Sequence, residues 1–240
     1  ETAKSFLQEG AGVVLVSRNR EHLEKAQAEL ASLGKVETIT GNVREPDSVK
    51  SFISDAFQKM GYIDVLINNA GANFLAPASQ VSPNGFKSII ETVLNGTFYC
   101  SRFIFDFWAE SNRGGNIISI AATNGTTSSP FMLASGAAKA GIINMTKTLA
   151  VEWAQFHIRV NSISPGPVKT EGANKRLWAD PNMQEQISKQ IPLGYMATPA
   201  DLIPVILFLA SDESKYITGA DIIVDGGEML RGLPDWLGKI

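Results

Sequence analysis

Six short apolar runs rich in β-branched residues recur along the chain, each parted from the next by a longer stretch with helix signals. They are GVVLVS at 12–17, KVETIT at 35–40, IDVLINNAG at 63–71, GNIISI at 115–120, IRVNSISPGPV at 158–168 and ADIIVDGG at 220–227. A run that is apolar on both faces suits a strand covered by helices above and below, the setting of a parallel sheet. Asn19 caps a predicted helix to about residue 33, with Leu23, Ala26 and Leu30 on one face. Pro46, Pro83 and Pro199 open three more, where the missing N–H of proline costs no helical hydrogen bond. These are expected over 46–60, 83–110 and 199–210, and a further helix over 131–156. Strand–helix alternation of this kind predicts an α/β fold with a doubly wound parallel sheet. The polar stretch 171–192 is expected to be mobile. No repeat, low-complexity tract or linker interrupts the pattern, so residues 1–240 read as a single domain.

The N-terminus departs from that scheme. ETAKSFLQEG reads as the rear of an amphipathic helix, with Ala3, Phe6 and Leu7 apolar, and neither an apolar run nor a glycine-rich turn stands before it. In a dinucleotide-binding sheet of the Rossmann type the first strand is central, and its turn carries the pyrophosphate on a helix N-terminus. Omitting a central strand would orphan ladder groups. The expectation is a Rossmann-type sheet lacking its first strand, in a chain that is N-terminally incomplete.

Composition narrows the function classes. A net charge of −3 argues against nucleic acid as the main partner, because phosphate contacts call for a basic excess. The single cysteine, Cys100, excludes an intrachain disulfide and fits a reducing compartment. The longest apolar run, VILFLA at 205–210, falls well short of the ~18–20 residues that span a bilayer. Nor does the N-terminus have the basic start and apolar core of a signal peptide, so a cytoplasmic protein without a membrane partner is expected. No His, Cys and Asp cluster has metal-ligand spacing, so no metal is expected, and His22 and His157 fall far from the motifs below.

Those motifs are NNAG at 68–71, Lys139 in AAKAG, RVNSISPGPVKT at 159–170 and VDGG at 224–227. In this order and spacing the chain resembles the short-chain dehydrogenase/reductase family, over residues 1 to about 230. A narrower resemblance is to the 2,4-dienoyl-CoA reductases, which use NADPH to reduce conjugated fatty acyl-CoA thioesters. It rests on NNAGANF, which reaches Asn73 and Phe74, and on Val93, where many relatives carry a structural asparagine. Arg44 in NVR and Arg176 at the end of PGPVKTEGANKR add to it. That subfamily also lacks the tyrosine one turn before the lysine, often with serine there, which matches Ser135. Its own tyrosine stands in the loop after the fifth strand, where equal spacing to Lys139 puts Asn124; the serine of the broader family falls on Ala122.

The resemblance implies a set of roles. Lys139 would hold the nicotinamide ribose hydroxyls and add positive field near a bound carbonyl. Ser17, Arg18 and Asn19 follow the first visible strand, and an arginine there suits the 2′-phosphate of NADP, the expected cofactor. Asn42 and Val43 would flank the adenine. Asn69, Ala70 and Gly71 would lie against the cofactor, where small side chains let the backbone approach. Pro165, Gly166, Val168 and Thr170 would pass the nicotinamide and pyrophosphate. Asn73 would donate from its amide to the thioester oxygen. Arg44, Ser82 and Arg176 match positions that contact the CoA phosphates or substrate, and serve equally well as ordinary surface residues; Phe74 would flank the acyl chain or pack in the core. Asn124 can donate a hydrogen bond but cannot give up a proton at neutral pH, so it could take over only the oxyanion role of the tyrosine.

Three functions stay open at this point: an NADPH-dependent reductase of an enoyl- or dienoyl-thioester, a reductase of the family with another substrate, and a catalytically silent binding or scaffold member. The helices at 83–110 and 131–156 match those through which such enzymes form tetramers, so a homotetramer is expected. The tail RGLPDWLGKI is expected to expose Trp236 and Leu237 for docking on a neighbour.

Overall fold

The computed structural model describes residues 1–177 and 180–230, without the side chains of Lys175 and Arg176; the tail with Trp236 and Leu237 lies outside the described residues. Each of the six apolar runs forms a strand: β1 (Val13–Ser17), β2 (Val36–Thr40), β3 (Val65–Asn68), β4 (Gly115–Ile120), β5 (Ile158–Pro165) and β6 (Asp221–Val224). All pair in parallel, but in two sheets, β1-β2 and β3-β4-β5-β6. Among the described residues β1 pairs only with β2 and β3 only with β4, so each keeps one edge without a ladder partner. That fits a doubly wound sheet short of a central strand.

Helices cover both faces, as the two-sided apolar strands require. On one face α3 (Pro46–Met60), α5 (Gly96–Ser111) and α6 (Leu133–Trp153) bury Phe52, Ile104, Trp108 and Trp153 against Ile117 and Val160. This cluster also takes in Ile39 of β2 and Val14 of β1, so apolar packing joins the two sheets where backbone pairing does not. On the other face α9 (Pro199–Ala210) sets Leu202, Ile206 and Leu209 against Ile118 and Ile163, with Phe6 of α1 (Thr2–Gln8) beside them. Ile117 and Ile118 thus serve opposite faces, as the strand period of two dictates. Cys100 is buried in the first cluster, and burial pushes its thiol up to about 12, so it acts as a small core side chain.

The polar letters of the motifs are partly structural. Asn161 is fully buried; its Nδ2 donates to the Ile217 carbonyl at 3.0 Å and its Oδ1 accepts from the Ala220 N–H at 3.0 Å, tying β5 to the turn before β6. The hydroxyls of Ser162 and Ser164 donate to Asp221. Likewise Asn68 Nδ2 donates to Ser101 Oγ at 3.1 Å and Ser119 Oγ at 3.3 Å, fastening β3 to α5 and β4.

Two helix bounds are corrected, and one stretch holds more structure than its polarity suggests. The stretch 171–192 contains two capped helices, α7 (Glu171–Arg176) and α8 (Pro181–Gln190). Thr170 Oγ1 accepts from the Ala173 N–H at 3.0 Å and Asp180 Oδ1 from the Asn182 N–H at 2.9 Å, which satisfies donors that polar composition alone left uncounted. The helix expected over 83–110 divides into α4 (Pro83–Ile90) and α5, joined by a wider π-helical turn over Glu91–Asn95 that centres on buried Val93. The first helical stretch after Asn19 is α2 (Arg20–Leu30), shorter than expected. No described helix is long and apolar enough to cross a membrane.

Candidate active site

Parallel strands put all their C-terminal ends on one edge of a sheet, and ligands gather there. At that edge of the four-stranded sheet lies a cavity of about 530 Å³. Asn69 after β3, Ala122 and Asn124 after β4, and Gly166 and Thr170 after β5 line it. The start of α6 contributes Met132 and Ser135, α9 contributes Leu202 and Ile206, and the turn after β6 contributes Glu228. Pro165 and Val168 also line it, as does Asn73.

Asn124 sits in a 3₁₀ turn, Thr123–Gly125, directly after β4. Its Nδ2 reaches only the Met132 sulfur, at 3.6 Å, and its Oδ1 is buried with no hydrogen-bond partner. A buried acceptor left unpaired costs roughly 1–3 kcal/mol, a cost that a ligand or water reaching it would remove. Gly125 lets the turn approach α6: a Cβ there would stand 2.8 Å from the Lys139 carbonyl carbon and 2.9 Å from the Ala140 nitrogen. Those are backbone atoms, which cannot swing aside. Gly125→Ala is therefore expected to cost roughly 1–3 kcal/mol, read as a lower urea midpoint at unchanged m-value.

Lys139 follows Ser135 by one turn of α6 and is half-buried. Its ammonium donates to the Ile120 carbonyl at the end of β4. Burial pushes the ammonium down to about 8, far below its ordinary 10.5. Lys139 stands behind the cavity wall, beside Ile120, which does line it. Asn73 Oδ1 accepts from the Phe74 N–H at 2.9 Å, which fixes the amide and leaves Nδ2 as its donor end.

The remaining residues fall outside the cavity wall. Ser17 and Asn19 are engaged at the start of α2: Ser17 Oγ accepts from the Asn19 N–H at 3.2 Å and Asn19 Oδ1 from the His22 N–H at 3.0 Å. Arg18 between them is exposed, with no ion pair among the described residues. After β2, Asn42 donates to Glu45 Oε1 at 2.7 Å and accepts from the Arg44 N–H, while Val43 packs on Gly96. Ala70 and Gly71 form an exposed turn after β3. Arg44 is already paired with Glu91, whose carboxyl it holds below the usual range, with Lys87 3.7 Å away on the other side. Ser82 caps α4 by accepting from the Gly85 N–H at 3.1 Å. Phe74 packs with Ile89 and Val93, against the face of Gly85. The side chain of Arg176 lies outside the described residues. No three His, Cys, Asp or Glu side chains gather as a metal site among the described residues.

Among the cavity residues that escaped the sequence reading are Glu228 and Thr123, whose hydroxyl donates to Glu228 Oε2 at 3.3 Å. Glu228 follows VDGG without a gap, so its place beside the last strand end was the available signal.

Residues 1–228 match the family model described as enoyl-(acyl carrier protein) reductase. A protein of Bacillus subtilis (strain 168) named "Probable 2,4-dienoyl-CoA reductase [(2E)-enoyl-CoA-producing]" is 38% identical over 234 residues, covering 97% of this chain and 92% of that one. A 3-oxoacyl-[acyl-carrier-protein] reductase of Thermotoga maritima is 36% identical over 227 residues, covering 94% and 91%. The crystal structure of a short chain dehydrogenase from Bacillus anthracis str. 'Ames Ancestor' superposes with a TM-score of 0.87 at 40% identity, covering 97% of this chain and 92% of that one. With the parallel sheet, the lysine helix and the strand-end cavity already in place, the chain belongs to the short-chain dehydrogenase/reductase family of oxidoreductases, close to its 2,4-dienoyl-CoA reductase branch.

Proposed function

We propose that the chain is an NADPH-dependent reductase of conjugated fatty acyl-CoA thioesters. The observation that carries this reading is the chemistry of the cavity. Asn73 and Asn124 present two carboxamides to it, and none of Tyr62, Tyr99, Tyr195 and Tyr216 lines it. Reduction of a simple ketone puts the proton on the carbonyl oxygen itself, and the groups this reading sets at that oxygen, Asn73 and Asn124, are amides that release none. In a conjugated thioester the charge spreads to the thioester oxygen, where amide donors stabilise it without releasing a proton.

The chain's residues fit a nicotinamide cofactor. Asn124 Oδ1 lacks a partner, and a Cβ added at Gly71 would meet only the Asn69 carbonyl, at 3.8 Å, so a flat group can lie on that turn. In this reading Asn69, Ala70 and Gly71, with Pro165, Gly166, Val168 and Thr170, hold the nicotinamide half, and Lys139 its ribose. Ser17, Arg18 and Asn19 hold the adenosine ribose, with Arg18 opposite a 2′-phosphate, and Asn42 and Val43 flank the adenine. When bound, the nicotinamide supplies a hydride. Ser82, Arg176 and Phe74 then serve the acyl-CoA, and Arg44 does so only by leaving Glu91. The exposed apolar side chains Phe98 on α5 and Val151 on α6 suit assembly of a homotetramer through those helices.

The test is spectrophotometric. The protein is expected to oxidise NADPH with a 2,4-dienoyl-CoA and not with 3-oxoacyl thioesters or simple ketones. Arg18→Ala is expected to raise the KM for NADPH about tenfold while leaving that for NADH unchanged, since one charge-assisted contact is lost. Turnover of a 3-oxoacyl thioester without turnover of a dienoyl-CoA would favour instead the chemistry named for the Thermotoga relative.

A further inference from the structure

Reduction of a carbon–carbon double bond consumes one proton as well as one hydride, and two carboxamides supply none. Among the described residues that line the cavity, the only side chains that titrate are Glu1 and Glu228. Glu1 is the N-cap of α1, and its side chain makes no capping hydrogen bond. Glu228 is held by the fold at three points.

The turn that carries it is rigid. Asp225 accepts the N–H groups of Gly227 and Met229, both at 2.8 Å, and Gly226 and Gly227 take the positive φ values of 64° and 89° that this reversal needs. The chain therefore doubles back after β6 and directs Glu228 towards the ends of β4 and β5. There Thr123 Oγ1 donates to Glu228 Oε2 at 3.3 Å, one residue from Asn124. On its other side the carboxylate lies against Gly166: a Cβ at 166 would stand 3.0 Å from Oε2 and 3.0 Å from the Asp225 Cβ, so a side chain there would crowd both. Two features of the motifs that carry the family resemblance, VDGG and the glycine of PGPV, thus flank one acid.

We propose that Glu228 is the proton donor of this site, a role that rests on the reductase reading above. With hydride supplied by the reduced nicotinamide, a carbon–hydrogen bond forms at the far carbon of the conjugated acyl chain. The displaced π electrons move to the thioester oxygen, facing Asn73 and Asn124. As the thioester carbonyl reforms, an acyl-chain carbon takes the proton and the O–H bond of Glu228 breaks; the carboxylate regains a proton from water. The substrate gains two electrons, a hydride and a proton, and the nicotinamide is oxidised. Thr123 is a positioning residue that fixes Oε2.

The experiment uses the wild-type protein, Glu228→Gln and Glu228→Ala, with a 2,4-dienoyl-CoA and NADPH. Wild-type turnover establishes the reductase reading; its absence overturns that reading, and this assignment with it. Given turnover, Glu228→Gln is expected to lower kcat about 100-fold or more, with NADPH affinity, read by fluorescence titration, held within about twofold. Sodium formate is expected to restore turnover of Glu228→Ala in proportion to its concentration, a signature that a packing role would not give. A Glu228→Gln enzyme within about threefold of wild type overturns the assignment. So does a loss that formate leaves unrescued, or one matched by lost NADPH affinity.

Discussion

Lys139→Met is expected to lower kcat/KM at least about 100-fold while making the folded protein more resistant to urea at pH 7. The two effects share one cause. Lys139 is half-buried, its ammonium donates to the Ile120 carbonyl, and burial pushes that ammonium down to about 8 from 10.5. Between those values the unfolded chain holds the extra proton and the folded one does not, so this group's contribution to stability rises with pH across that window. Below about 8 the buried charge is a cost, which methionine of similar length removes. In the function proposed above, the same charge is the field offered to a developing oxyanion and to the ribose hydroxyls. Wild-type kcat/KM is therefore expected to fall as pH rises through about 8, and Lys139→Arg to carry that alkaline limb to higher pH. Methionine that left kcat/KM within a few-fold of wild type would remove Lys139 from the site.

Asn73→Asp is the second large effect, with kcat expected to fall roughly 100- to 1,000-fold at little change in KM. The substitution is chosen for what it keeps. Asn73 Oδ1 accepts from the Phe74 N–H at 2.9 Å, and a carboxylate oxygen can take the same bond, so the turn stays closed. Only the Nδ2 donor is lost, and a negative charge replaces it where negative charge must develop. Asn73→Ala loses the donor and also frees the Phe74 N–H, so it is expected to reduce both kcat and thermal stability. Steady-state kinetics on both variants, alongside melting curves, separate the donor from the turn. Equal kcat for the aspartate variant and wild type would deny Asn73 its role.

How far the sequence could be read follows from the range of each interaction. Strand positions were legible because two-sided apolar runs have few other homes, and Pro46, Pro83 and Pro199 marked helix starts within a residue. The helices within 171–192 were hidden because their capping bonds, from Thr170 and Asp180, do not show in polarity. Asn73, Asn124 and Ser135 were legible as members of ordered motifs, and they share one cavity. The ion pair of Arg44 was not legible: Glu91, the residue that engages it, lies 47 positions away and signals nothing to NVR. Glu228 stayed unread because its partner, Thr123, is 105 positions distant, and only the pairing of β4 with β5 and β5 with β6 brings the two strand ends together. Local rules carried the scaffold, whereas the acid of the cavity depends on topology.

The division of the strands into a pair and a quartet bears on how the molecule comes apart. The quartet shares backbone bonds across β3-β4-β5-β6. The pair packs on it through Val14 and Ile39 against Phe52, Trp108 and their neighbours. Ser17, Arg18 and Asn19 stand on the pair, whereas Asn73, Asn124, Lys139 and Glu228 belong to the quartet and its loops. A ligand long enough to touch both would act as a strut, and its binding energy would count towards cohesion of the whole protein as well as towards affinity.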